Sequence, residues 1–218
     1  MTITPTTLFR ASGVAAALAG LIFIGVQINH PYLDAASITT TDVMTRNSLK
    51  MLMGALALAG ITGMYLRQVT KIGVLGLLGY VLFAAGYLSM LGTEFVAALV
   101  LSSIAHSANV YVNSVIAVAN NRPATGDIGL MRTAILFTGI TYVAGGFIFA
   151  IALFRANVLA RWAAALLALG TLATIAVGLV PQYERLFALP TGFALVALGY
   201  SLWRDQGALG LVRGARSS

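Results

Sequence analysis

The chain has 218 residues, of which 59% are hydrophobic and 9% charged, and its mean hydropathy is +0.92. A soluble domain carries about 25% charged residues, so this composition excludes an ordinary soluble globule and predicts one membrane domain over residues 1–203. There is no cysteine, which excludes disulfides, thiol catalysis and cysteine metal sites. The net charge of +7 sits in short loops and near the C-terminus, where Lys and Arg orient helices and meet anionic lipid headgroups; it does not imply nucleic acid.

In chain order, a short polar lead precedes an apolar segment over 9–29, long enough to cross about 30 Å of hydrocarbon. No A-x-A cleavage site follows it, so it reads as a span rather than a signal peptide. Gly13, Ala17 and Gly20 give it a small-residue packing face. It ends at Gln27, Asn29, His30 and Pro31, and proline cannot continue the helical bonding. After the loop PYLDAASITTTD, Thr41 or Asp42 is placed to cap the next helix, with Asp42 one turn before Arg46. The second span is predicted over 49–66 and the third from Ile72 past Met90. Further spans are predicted at 128–154, 162–180 and 186–203, followed by a basic, disordered tail over 204–218.

The stretch 91–127 differs from the rest. It places Glu94 and His106 among amides on an otherwise apolar background. On a helical wheel, Ser102, His106, Asn109, Asn113 and Asn120 fall within roughly 60°. Either this stretch holds a separate span, giving seven, or the third span runs as a long helix to about Ile104 and the remainder is an external amphipathic segment, giving six. Six is preferred on charge. With the N-terminus inside, the cytoplasmic side holds Arg10, Arg67, Lys71, Arg155, Arg161, Arg204, Arg213 and Arg216, and the outer side holds Arg46, Lys50, Arg122, Arg132 and Arg185. That excess agrees with the positive-inside rule. Both termini are then cytoplasmic, in a multi-pass protein of the cell membrane. Asp34, Asp42, Glu94, Asp127, Glu184 and both histidines share the outer side, leaving only Asp205 inside.

Several phrases resemble a family of small multi-pass membrane proteins found in actinobacteria and related bacteria. They are His30-Pro31 with Ser37-x-Thr39-Thr40 after it, GITGMYLRQVTKIGVLGLLGY (60–80), the Glu94-bearing end of the third span, ALFRANVLARWAAALLA (152–168) and ERLFALPTGFALVALGYSLW (184–203). The resemblance covers most of the chain and implies that 100–127 is a loop rather than a span. It implies no particular activity. In size and in its acids, the chain is also similar to the integral-membrane terpene cyclases, by analogy of design rather than by a shared motif.

Glu94 is the foremost candidate site residue. A carboxyl in apolar surroundings resists ionisation, which suits general-acid protonation of a lipid-soluble substrate; the alternative is a structural pair with Arg132. His30 is a candidate proton relay, with Asp34, Asp42 and Glu184 as further acids. Asp42 also reads as a helix cap, Glu184 as a partner of Arg185, and Asp127 as a cap. His106, Asn109 and Asn113 are candidate binding residues on the polar stripe. Arg132 suits an anionic headgroup. Tyr87, Phe95 and Tyr142 suit an apolar pocket in which ring faces steady a cation. Trp162 and Trp203 read as interface anchors.

No metal or other cofactor is expected. There is no i,i+4 His/Glu pair, no P-loop, no G-x-S-x-G and no H-E-x-x-H, and the last span has no lysine for a Schiff base. The expected function is an integral-membrane enzyme on an isoprenoid, in its specific form a terpene cyclase, whose partners are membrane lipids and a hydrophobic small molecule. The alternative is a permease or an accessory protein that binds a lipid or a partner. No feature specifies an oligomeric state.

Overall fold

The structure, a computed structural model, describes residues 4–175 and 186–215. Among these, seven helices carry the fold: α1 Pro5–Gly25, α2 Thr41–Arg67, α3 Val69–Ile104, α4 Asn109–Ala119, α5 Leu130–Ala156, α6 Arg161–Ala173 and α7 Leu189–Ala215. Five are long and apolar enough to cross a membrane: α1, α2, α3, α5 and α7 over Leu186–Asp205. The six-span expectation is therefore met in part. Its remaining span, predicted over 162–180, is seen as the shorter apolar helix α6, and the rest of that span lies outside the described residues.

Local chemistry explains the boundaries. Thr4 accepts from the Thr7 N–H at 3.2 Å, and Pro5 follows at the first helical position, where its missing N–H costs nothing. α1 stops at Gly25, before the turn that leads to Asn29, whose φ is +49°. α2 is capped by Thr40, one residue before Thr41 and two before Asp42, the predicted caps. Asp42 instead accepts from Arg46 Nε through both carboxylate oxygens at 3.0 Å, while Arg46 Nη1 donates to the Val26 and Ile28 carbonyls. The pair thus fastens the start of α2 to the end of α1. Asp127 does not cap α5 directly; it accepts from the Gly129 N–H just before the helix. α7 remains helical to Ala215, through most of the stretch predicted as a disordered tail.

The long helices and α6 close a ring in which α1 packs on α2, α2 on α3, α3 on α5, α5 on α6, α6 on α7 and α7 on α1. Small residues set the spacing. A Cβ at Gly13 would sit 2.6 Å from the Gly199 carbonyl oxygen, and one at Gly86 would sit 2.7 Å from the Tyr142 nitrogen. Ala160 N–H donates to Ser201 Oγ at one end of α6, and Gly170 abuts Thr191 at the other, so α6 and α7 run antiparallel. One end of the ring carries the Arg67–Asp205 ion pair at 2.7 Å, together with Arg10 beside Trp203 and Arg161 beside Phe154. The exposed Trp162 and Trp203 lie at that same end, as interface anchors do.

The other end is covered by a separate structure. The 3₁₀ turn Ser37–Thr39, the end of α3, α4 and the loop into α5 form their own apolar cluster, including Ile38, Leu101, Val112, Ile116 and Ile128. The ring's own cluster includes Ala57, Ile61, Phe83, Tyr87, Phe149 and Leu198. A leucine at Gly86 cannot be accommodated between α3 and α5 without moving backbone. Gly86→Leu is expected to cost about 1–3 kcal/mol in reversible unfolding in mixed micelles. Gly92→Leu, where nothing lies within 4 Å of the added Cβ, is expected to be close to neutral.

Candidate functional site

Between the covering cluster and the ring lies a cavity of about 1050 Å³, at the upper end of the range for small-molecule sites. Its roof is the apolar face of α4, through Val115, Ile116, Val118 and Ala119, and its walls come from α1, α2, α3 and α5. Leu136, Gly139 and Ile140, which form part of its rim, are exposed. Tyr142, Val143 and Ala144 reach farthest along α5, and Tyr142 packs edge-on to Tyr87 at 5.6 Å.

The lining is mostly apolar, and its charged side chains stand together at one pole. Glu94 of α3 faces Lys50 of α2 with Oε1 to Nζ at 3.6 Å. Lys50 also donates to Asn47 Oδ1 at 3.4 Å, and Asn47 is buried. Thr93, Asn120 and Asn121 are further polar residues of the lining. Lys50 and Glu94 are 17% and 21% exposed at their side chains, so the pair is shielded but not sealed. α3 changes pitch directly after Glu94, through a π turn over Val96–Leu101. Such turns add a residue per turn and recur at functional sites. Here the turn leaves Ala97 and Leu101 on the cavity wall beside Glu94.

Depth follows from helix rise. Lys50 lies about 26 Å from the end of α2, and Glu94 about 30 Å from Val74, where α3 runs on as regular helix after the kink at Gly73, whose φ is +63°. The end of α2 and the start of α3 adjoin at the opposite end of the ring. With a hydrocarbon thickness of about 30 Å, the charged pole stands near one interface. Tyr142 lies about 21 Å from the end of α5, so the apolar body of the cavity extends toward mid-bilayer.

Of the predicted site residues, Glu94 and Tyr142 line this cavity. Glu94 pairs with Lys50 and not with Arg132, which is exposed near the start of α5. The chain turns between Ala105 and Ala108, so the predicted polar stripe is not one continuous helix face. His106 and Asn109 are exposed. Asn113 holds the cover in place: its Oδ1 accepts from the Ala35 N–H at 2.9 Å, and its amide donates to Asn109. Neither asparagine is among the lining residues, because α4 turns its apolar face to the cavity.

Asp34 accepts from the Ser37 and Ala36 N–H groups, and these bonds, Ser37 first, hold its carboxyl below the usual value. His30 Nδ1 donates to the Pro31 carbonyl at 2.9 Å. Asp42 serves the α1–α2 clasp. Tyr87 is wholly buried behind Tyr142, and Phe95 is exposed on the outer face of α3. Glu184 lies outside the described residues.

Sequence reasoning missed Lys50 and Asn47. The available signal was a lysine already inside the predicted second span, with an amide three residues before it on the same helix face. Because each charge is partly buried, removing one strands the other. Lys50→Met is expected to destabilise the protein by about 1–3 kcal/mol, less than the 3–5 of a fully buried pair. Lys50→Met combined with Glu94→Leu is expected to recover most of that loss in the same unfolding assay. Compared with known protein families, curated proteins and solved structures, the chain has no match.

Proposed function

We propose that this chain is a six-span membrane protein that takes an elongated, lipid-soluble molecule of isoprenoid type from the bilayer and acts on it with Glu94. The observation that carries the reading is the cavity's polarity: an apolar body at membrane depth ending in one carboxylate–ammonium pole. Exposed Leu136 and Ile140 on the rim give a lipid-soluble molecule a lateral approach. A sixth crossing is supported by α6, an apolar helix that runs antiparallel to α7 from the end at which α5 finishes. Six crossings put both termini on one side, which the charge distribution makes the cytoplasmic side.

In the enzymatic form of this reading, Glu94 delivers a proton to an alkene or epoxide of the substrate. The apolar walls fold the chain and exclude water, and the Tyr142 ring steadies the resulting cation. This is the chemistry of a terpene cyclase. A second reading, a lipid-binding or permease protein without chemistry, draws on the Lys50 pair itself, which accounts for Glu94 by charge compensation alone.

Turnover separates the two. The protein in bilayers is to be incubated with farnesyl and geranylgeranyl substrates carrying a terminal alkene or epoxide. Cyclised product is expected from the unaltered chain, with a loss of at least about 100-fold in Glu94→Gln. Product undiminished by Glu94→Gln removes the carboxyl from the reaction. No product from the unaltered chain, with substrate still bound, leaves the binding reading in its place.

A further inference from the structure

Resting on the cavity reading above, we infer that the cavity's ligand carries a monoanionic oxyanion headgroup, which takes Lys50 away from Glu94 and is bound together with one proton that neutralises Glu94.

Charge balance requires the proton. Among the described lining residues, Lys50 and Glu94 are the only charged side chains, and they cancel. An anion entering beside Lys50 would leave the pole with a net negative charge. In an apolar cavity an unpaired charge is strongly disfavoured, so the site neutralises instead. The acid facing the pole is Glu94 from α3. α2 presents Lys50 and the amide Asn47; the chain after α4 presents the amides Asn120 and Asn121; α5 presents Thr138 and Tyr142. Among the described residues no second cation lines the cavity, and a proton from bulk water supplies the balance in this proposal. Afterwards Lys50 pairs with the oxyanion, and Glu94, now a neutral acid, can donate to it.

The geometry suits such a headgroup. The pole lies near interface depth, where an amphiphile keeps its charge, and the apolar body continues toward mid-bilayer. The 3.6 Å Lys50–Glu94 separation is longer than a well-formed charge-assisted hydrogen bond of about 2.7–2.9 Å. The ammonium is therefore not locked to the carboxylate. Asn47, whose Oδ1 accepts from Lys50 Nζ, brings its amide N–H groups to the pole as further donors for the remaining oxygens.

The test is calorimetric titration of the full-length protein in lipid nanodiscs. The ligand is farnesyl methyl phosphate, a phosphodiester whose single charge is constant from pH 5 to 9, and the control is farnesol. Titrations in buffers of different ionisation enthalpy count protons. Binding of the phosphodiester is expected to take up about one proton wherever free Glu94 is ionised, with affinity falling about tenfold per pH unit. Farnesol is expected to bind with no proton uptake and no such slope.

Glu94→Gln is expected to abolish both the uptake and the slope while keeping tight phosphodiester binding. Lys50→Gln is expected to bind the phosphodiester no better than farnesol. Phosphodiester binding without proton uptake, a slope that survives Glu94→Gln, or failure of the unaltered protein to bind the phosphodiester overturns the proposal. If farnesol binds and turnover persists while the phosphodiester shows no preference, the headgroup assignment alone has failed. If neither ligand binds, the cavity reading has failed with it.

Discussion

A hydrocarbon surround gives helices no hydrophobic reward for associating, so this ring depends on contact distance. The contacts are close because glycine lines the seams: Gly13 and Gly20 against α7, Gly79 and Gly86 against α5, and Gly145 against α3. At these positions backbone meets backbone with no room for a Cβ. Within this ring α2 packs on α3 and brings Lys50 to Glu94.

The cover over one end is built differently. It is held by polar latches rather than by glycine seams. Asn113 accepts from Ala35, Arg46 ties the end of α1 to the start of α2 through Asp42, and Arg122 donates to the Tyr32 hydroxyl and stacks over its ring. These residues carry most of the chain's conspicuous polarity, yet they act on the cover's own backbone and loops. The cavity arises because two apolar clusters, each satisfied internally, meet across a gap. The one partly buried ion pair between α2 and α3 sits at that junction. Function and fold thus divide the polar residues between them: most build the roof, and a few face the space beneath it.

The all-helical character, with helices long and apolar enough to cross a membrane, was legible in the sequence, because long apolar runs have few alternatives to helix. Glu94 was legible too, since a lone carboxylate in an apolar run needs an explanation. The polar stripe was misleading for a physical reason. Helical periodicity aligns residues only along an unbroken helix, and the chain turns at residues 105–108. Asn113 then finds a backbone partner 78 residues away, a contact that no local pattern contains. Lys50 was hidden by its position. Near a span's start, a lysine reads as a topological charge until the neighbouring helix supplies a carboxylate. The extended third helix, running to Ile104 instead of stopping at Gly92, matches the six-span alternative in outline.

Whether the space beneath α4 admits a lipid-soluble molecule from the bilayer decides the central claim. Photo-cross-linking with a diazirine-bearing polyprenyl alcohol in proteoliposomes, followed by peptide mapping, measures this directly. Adducts are predicted on residues 115–121 and 131–143, suppressed by excess unlabelled polyprenol. Adducts confined to outward faces such as Leu77, Leu78 and Leu88, unaffected by competitor, would contradict it.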